Sequence, residues 1–216
     1  MQNPSHPPDL DVLIVGGGGA GLWLLDELRR AGYSVLLAEA TALGTGQTMA
    51  TQGIIHGGLK YALGGIVGDS ADAIKDMPSI WRECLAGRRE PDLSKVRMRS
   101  DSCVLWRTDG IASKIGMLGA RGLLRVAPVR LEAADQPSIL AGCVSEVFRL
   151  DEQVIEPGSF IEVLAERNQG HLVRVSRVVF DAKSPGEVAS VRLVSPDGSR
   201  EASVHPIRVV LTAGEG

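Results

Sequence analysis

The chain has 216 residues, 44% of them hydrophobic, and its 23 Lys and Arg against 26 Asp and Glu give a formal net charge of −3. That is enough apolar sequence for one or two packed domains, and the acidic balance gives no basis for holding a nucleic-acid backbone, which needs clustered cations. Cys84, Cys103 and Cys143 form no CxxC and cannot all pair, which argues against a disulfide framework or zinc site and for reduced thiols in the cytoplasm.

The first ten residues, with neither a cationic n-region nor an apolar h-region, read as a disordered leader and not as a secretory signal. Asp11 to Val15 then forms a short apolar run of the kind a strand buried on both faces shows. A helical pattern follows through Arg30 and ends at Gly32, a residue suited to the left-handed end of a helix. Ser34 to Glu39 reads as a second buried strand, so the opening is a βαβ unit with parallel strands.

Helical periodicity returns between Ser70 and Gly87, interrupted at Pro78. Asp76 as cap with Pro78 in the first turn makes that interruption a boundary. From about Arg97 the pattern becomes strand-like in "SCVLWRT" and "CVSEVFRLDEQVIEP". A helix over about 157–167 precedes "HLVRVSRVVFDAK" and "EVASVRLVS", and "SPDGS" marks a turn. The middle of the chain is therefore expected to form an antiparallel sheet with helices. "IRVVLTAG" closes the sequence as another apolar strand. Residues 110–128 are cationic and partly amphipathic. They permit a membrane-surface helix, although a helix packed on a sheet is favoured.

The chemistry begins at "GGGGAG". Gly16, Gly18 and Gly21 supply GxGxxG directly after a strand and at the start of a helix, with Glu39 closing the second strand. Gly16 permits a tight turn, Gly18 lets the backbone approach a pyrophosphate, and Gly21 allows close packing of helix on strand. The helix N-terminus, starting at Gly19 and Ala20, stabilises phosphate charge. The carboxylate of Glu39 suits a ribose diol and opposes a 2′-phosphate, hence NADP. The motif alone leaves FAD and NAD both open.

"GTGQTMATQ", "GIIHGGLKY", the inserted sheet and the return strand ending "LTAGEG" follow Glu39 in that order. In this combination the chain resembles the FAD-dependent oxidoreductases of the D-amino acid oxidase and glycerol-3-phosphate dehydrogenase superfamily. "QTMATQGIIHGG" is especially similar to the L-2-hydroxyglutarate oxidase branch. The resemblance implies a Rossmann-like FAD-binding domain of glutathione-reductase type with an inserted α+β antiparallel-sheet substrate domain. It divides the chain into a leader (1–10), a first FAD-binding part (11–95), a partial substrate domain (96–170) and a return to the FAD-binding domain (171–216). Relatives continue beyond such a return strand, so the chain is expected to be truncated at its C-terminus and, by itself, an incomplete enzyme that binds FAD weakly.

Carried over by position, the resemblance places Gly16, Gly18, Gly19, Ala20 and Gly21 at the pyrophosphate. Glu39 and Ala40 fall at the ribose, and Gln47, Thr48, Thr51, Gln52 and Gly53 along the pyrophosphate and flavin. The backbone of Val178 falls at the adenine, and Ala213 with Gly214 where the return strand passes the dinucleotide. One departure is Leu25, four residues after Gly21, where the family has a small residue. The implied reaction moves hydride from a small 2-hydroxy acid or polyol phosphate to FAD. An amine or amino-acid substrate and a non-catalytic dinucleotide-binding fragment are the alternatives.

His56 is the expected catalytic residue, because an imidazole titrates near working pH and is suited to taking a substrate proton. A hydrogen bond to the flavin, a covalent flavin link and a purely structural place between glycines are its other possible roles. Lys60 and Tyr61 suit an anionic substrate or a solvated edge. His6, His171 and His205 read as leader and surface-turn residues. No pair of histidines has metal-ligand spacing and no metal is expected. The partner is a small molecule, with membrane association not favoured.

Overall fold

A computed structural model describes residues 9–56, 76–107, 128–140, 142 and 146–214. The elements run β1 (Asp9–Val15), α1 (Gly19–Arg30), β2 (Val35–Glu39), α2 (Gln47–Ala50), α3 (Met77–Leu85), β3 (Met98–Ser100), β4 (Cys103–Arg107), β5 (Val129–Arg130), β6 (Glu146–Leu150), β7 (Val154–Ile155), α4 (Pro157–Arg167), β8 (Leu172–Arg174), β9 (Arg177–Ser184), β10 (Glu187–Val194) and β11 (Glu201–Leu211). They divide between two units, Met1–Thr51 with Pro157–Gly216, and Gln52–Glu156.

The first unit is a six-stranded sheet in the order β8-β2-β1-β11-β10-β9. β1 begins at Asp9, earlier than the apolar run at Asp11, because Leu10 is itself buried. Its partners are parallel on both sides, β2 through Val12↔Val35 to Val15↔Ala38, and β11 through Asp9↔His205 to Val15↔Leu211. A strand so enclosed buries both faces, which is why Leu13 and Ile14 are both fully shielded although they point to opposite sides. β9 and β10 form an antiparallel pair, and β10 continues onto the first part of β11, Val191↔Val204 to Val194↔Glu201. Their apolar face joins Leu13, Ala38 and Val175 in one cluster. These strands, grouped by periodicity with a middle antiparallel sheet but by the resemblance with the returning part over 171–216, belong to the same sheet as β1.

β11 is longer than the expected return strand and contains Pro206. It is antiparallel to β10 up to Val204 and parallel to β1 from His205 onward. Pro206 lies past the last β10 pair, where one ladder has ended and a missing N–H is tolerated. α1 ends as the sequence indicates. Gly32 has φ 90°, its amide bonds the Arg29 carbonyl at 3.0 Å, and the Tyr33 amide bonds the Leu28 carbonyl at 3.1 Å, a Schellman closure.

α4, placed by its sequence position among the inserted elements, lies in the first unit and packs on α1. Trp23 and Phe160 meet with ring centroids 6.2 Å apart. At the C-terminal ends of the two helices Asp26, 3% exposed, accepts hydrogen bonds from Arg30 Nε at 2.9 Å, Arg167 Nε at 3.0 Å and Asn168 Nδ2 at 3.4 Å. Asn168 also donates to the Leu164 carbonyl at 2.7 Å and accepts from Arg29 at 2.8 Å. Burial opposes the charge of Asp26, but the bonds from Arg167 and Arg30 outweigh it and hold its carboxyl below the usual range.

In the second unit α3 begins where Asp76 and Pro78 indicate. The Asp76 side chain does not cap it; Ser79 instead donates its hydroxyl to the Asp76 carbonyl at 2.8 Å. β4-β6-β5 and β3-β7 are antiparallel sheets, with β4 and β6 in register from Cys103↔Leu150 to Arg107↔Glu146. Arg82 pairs with Asp151 at 2.6 Å and Arg97 with Glu156. The amphipathic stretch over 110–128 lies outside the described residues apart from its last position. Among the described residues no helix is long and apolar enough to cross a membrane.

Candidate functional site

The glycine turn between β1 and α1 is closed to side chains where the strand and helix meet. Gly16 has φ 115°, and a Cβ there would lie 2.6 Å from the Ala213 nitrogen. A Cβ on Gly21 would lie 2.1 Å from the Gly16 carbonyl oxygen, so the helix can approach the strand only without one. That contact also answers the departure at Leu25. Close approach is made at Gly21, and Leu25 is fully buried one turn later. Thr212, not singled out from sequence, fastens the return strand here. Its amide donates to the Val15 carbonyl at 2.8 Å and its hydroxyl to the Gly16 carbonyl at 2.8 Å. Ala213 is thereby placed beside Gly16, and Gly214 follows with φ 68°.

Gly18 differs from its neighbours. It stands at the N-cap with φ −76° and ψ −178°, ordinary extended backbone, and a Cβ there would meet only the Thr48 hydroxyl at 3.2 Å. The space its missing side chain leaves is therefore on the side of α2, and Ala20 beside it is exposed. The Gly19 amide donates to Thr48 Oγ at 3.1 Å, which leaves the Thr48 hydroxyl proton free to point elsewhere. Gln47 and Thr48 stand on α2, and Thr51 at its end donates to the Thr48 carbonyl at 2.9 Å.

Glu39 ends β2 facing the turn. One carboxylate oxygen accepts from the Gly17 amide at 2.6 Å, the other from the Thr41 amide at 2.7 Å and the Thr41 hydroxyl at 2.9 Å. Burial works against its charge, yet the amides of Thr41, Gly17 and Ala40 and the Thr41 hydroxyl keep its pKa below the usual carboxylate range. Thr41, like Thr212, is a site-shaping residue that no sequence motif marked. Val178 sits at the start of β9 opposite Leu193, half-buried against the cluster that includes Ala38. The residue bonded to the Glu39 backbone is Val175, whose amide donates to the Glu39 carbonyl at 3.0 Å.

Gln52, Gly53 and His56 belong to the second unit. Gly53 has φ 75° and its carbonyl accepts from the Ile155 amide at 2.9 Å. His56 keeps 43% of its side chain exposed, with Nδ1 at 3.5 Å from Glu152 Oε2. Lys60 and Tyr61 lie outside the described residues, as does His6. His171 lies in the bend just before β8, half-buried, while His205 is exposed on a strand and not in a turn. His171 Nδ1 is 3.0 Å from the Val35 carbonyl, and His205 lies within β11 opposite Asp9. Among the described residues there is no group of three or more His, Cys, Asp or Glu able to hold a metal ion.

The residues of the first unit fit a dinucleotide. The N-terminus of α1 suits a pyrophosphate, and a carboxylate held ionised at the end of the adjacent strand suits a ribose diol. No acidic residue stands in the first turn of α1, where it would repel phosphate. The sequence matches the family of FAD dependent oxidoreductases known as DAO over residues 11–216. The chain belongs to this family. FAD is therefore the cofactor, a choice the glycine turn alone leaves open.

Among similar proteins, the probable FAD-dependent oxidoreductase PA4991 of Pseudomonas aeruginosa is 40% identical over 208 residues, covering 95% of this chain and 51% of that protein. The crystal structure of PA4991 superposes with a TM-score of 0.70 at 35% identity, over 96% of this chain and 49% of that one. Glycine oxidase from Geobacillus kaustophilus shares the fold with a TM-score of 0.68 at 16% identity, over 95% of this chain and 55% of its own. The chain thus spans about half the length of these relatives.

Proposed function

We propose that this chain contributes the FAD-holding unit and part of the substrate-facing unit of an oxidoreductase acting on a small 2-hydroxy acid or polyol phosphate. The observation that carries the dinucleotide site is the closure of the glycine turn on Thr212 and Ala213 with Glu39 bonded to Gly17, because it shuts side chains out of the strand–helix junction and sets an ionised acid beside the N-terminus of α1. In this reading Gly16, Gly18, Gly19, Ala20 and Gly21 line the pyrophosphate, and Glu39 with Ala40 binds the ribose. Thr48, Gln47, Thr51, Gln52 and Gly53 extend that lining toward the flavin. Val178 borders the adenine, while Ala213 and Gly214 keep the return strand flush against the dinucleotide.

FAD, when bound, supplies the two-electron acceptor. The chain's own contribution is orientation, exclusion of water and proton management, and His56 takes the proton of the substrate hydroxyl. The inserted residues 52–156 carry the substrate side. Solved proteins of this fold include a glycine oxidase and an L-amino acid deaminase from Proteus vulgaris, so amines are the second class of substrate.

Anaerobic bleaching of the bound flavin tests the proposal. A panel of 2-hydroxy acids, polyol phosphates, glycine and other amino acids is mixed with FAD-loaded protein. Bleaching by a hydroxy acid or polyol phosphate at micromolar to millimolar concentration is the expected result. Bleaching by amino acids alone would replace the substrate class, and FAD retained without bleaching by any member would leave a binding module.

A further inference from the structure

We infer that Glu152 is a positioning residue for His56, its carboxylate accepting Nδ1–H so that Nε2 is the atom presented to substrate. The inference rests on the reading of His56 as the proton acceptor.

The pairing is written into the backbone. Gly53–His56 runs antiparallel to Glu152–Ile155, with the Ile155 amide bonded to the Gly53 carbonyl at 2.9 Å and the Ile55 amide to the Gln153 carbonyl at 2.9 Å. These two bonds flank the Ile54↔Val154 bridge. One pair further along that register, His56 falls opposite Glu152. The hydrogen-bonded pairs are 53/155 and 55/153, which makes 54/154 and 56/152 the closely spaced kind, where opposed side chains come nearest. The 3.5 Å between His56 Nδ1 and Glu152 Oε2 is thus a consequence of register.

Burial gives the pair its direction. The Glu152 side chain is 10% exposed and the His56 side chain 43%, so the carboxylate is shut in while the ring keeps an outward edge. Cys103 lies within electrostatic reach of that carboxylate. Burial first, and the Glu152 charge second, push its thiol up and keep that neighbour protonated and neutral. The imidazole N–H is a donor within reach of this buried anion. At 3.5 Å the contact is longer than a formed hydrogen bond, and such bonds commonly tighten in the substrate complex. Holding Nδ1–H fixes ring orientation and tautomer. When the proton of a substrate hydroxyl moves to Nε2, the resulting imidazolium has Glu152 as its counter-ion.

The test is side-chain ¹⁵N NMR of FAD-loaded protein with labelled histidine, the His56 signals being assigned by their loss in His56→Gln. Above the imidazolium titration the wild type should show Nδ1 protonated and Nε2 bare. Glu152→Ala should revert His56 to the Nε2–H form and lower kcat about 10- to 100-fold with KM little changed, while Glu152→Gln, which retains an acceptor, should keep the Nδ1–H form. Wild-type His56 in the Nε2–H form overturns the proposal even if Glu152→Ala fails to fold. His56→Ala separates the underlying reading. If flavin reduction in that variant is slow but wild-type His56 is in the Nε2–H form, Glu152 alone loses its role. If reduction is normal, His56 is not the base, and the positioning role falls with it.

Discussion

Glu39 concentrates the argument for the cofactor in one side chain. Its carboxylate is already engaged by Gly17 and Thr41, so the orientation needed for a ribose diol exists before FAD arrives. Glu39→Ala should weaken FAD binding about 10- to 100-fold, the equivalent of losing charge-assisted hydrogen bonds worth roughly 1.5 to 3 kcal/mol. Equilibrium titration by flavin fluorescence quenching gives the answer, and an unchanged Kd would remove Glu39 from the site. Gly21 makes a steric forecast. An alanine methyl would have to sit within 2.1 Å of the Gly16 carbonyl, so Gly21→Ala should push α1 off β1 and lower stability by about 1 to 3 kcal/mol while depleting bound FAD. Gly18→Ala, meeting only a hydroxyl at 3.2 Å, should retain the fold and lose FAD selectively. Equal melting temperatures for wild type and Gly21→Ala would refute the packing role. The closed glycine turn and the Glu39 carboxylate beside it were legible in sequence because spacing alone puts them at the strand–helix junction. Thr212 and Glu152 were not, since one acts on a partner far away in the chain and the other through a register that no local pattern encodes, and Thr41, only two residues from Glu39, belongs to no motif.

Between elements, the sequence marked where α1, α3 and α4 start and stop but not what α4 would pack on. Helix boundaries are set by local chemistry, Gly32 and Pro78 among it, whereas the partner of α4 is chosen by Asp26, Arg167 and Asn168 meeting across the fold. β11 shows the same division. Its apolar half was visible in "IRVVL", but its first part, Glu201 to Val204, is strand only because β10 lies beside it. The Asp26 network has a pH consequence with a definite sign. The folded carboxyl sits below its unfolded value near 3.9, so its contribution is fully present above that value and is lost as pH falls through the lower, folded one. Asp26→Ala should destabilise the protein by roughly 1.5 to 3 kcal/mol at pH 7. In urea melts the difference from wild type should shrink steadily below about pH 4. A gap that stays constant down to pH 2 would show that Asp26 acts by packing and not by charge.

For the molecule as a whole, FAD is a ligand of the folded state, and its binding must appear as stability. Every residue assigned to FAD in the first unit, from Gly16 on one strand end to Ala213 on another, sits on segments that separate when the sheet unfolds. A ligand held by the folded form alone stabilises it by RT ln(1 + [L]/Kd), about 2.7 kcal/mol at a hundredfold excess over Kd. For a domain of this size that should raise the melting midpoint by roughly 5 to 10 °C. The rise should be carried by the transition that contains the β1–β11 sheet, followed by far-UV circular dichroism, and it should grow with the logarithm of FAD concentration without a plateau. NADPH should give no shift, since Glu39 repels a 2′-phosphate, and NADH should give less than FAD. Glu39→Ala should need about 10- to 100-fold more FAD for the same rise, which ties the global effect to the single carboxylate. A midpoint indifferent to FAD, or one raised more by NADH, would mean that the glycine turn does not hold the family's cofactor in this chain.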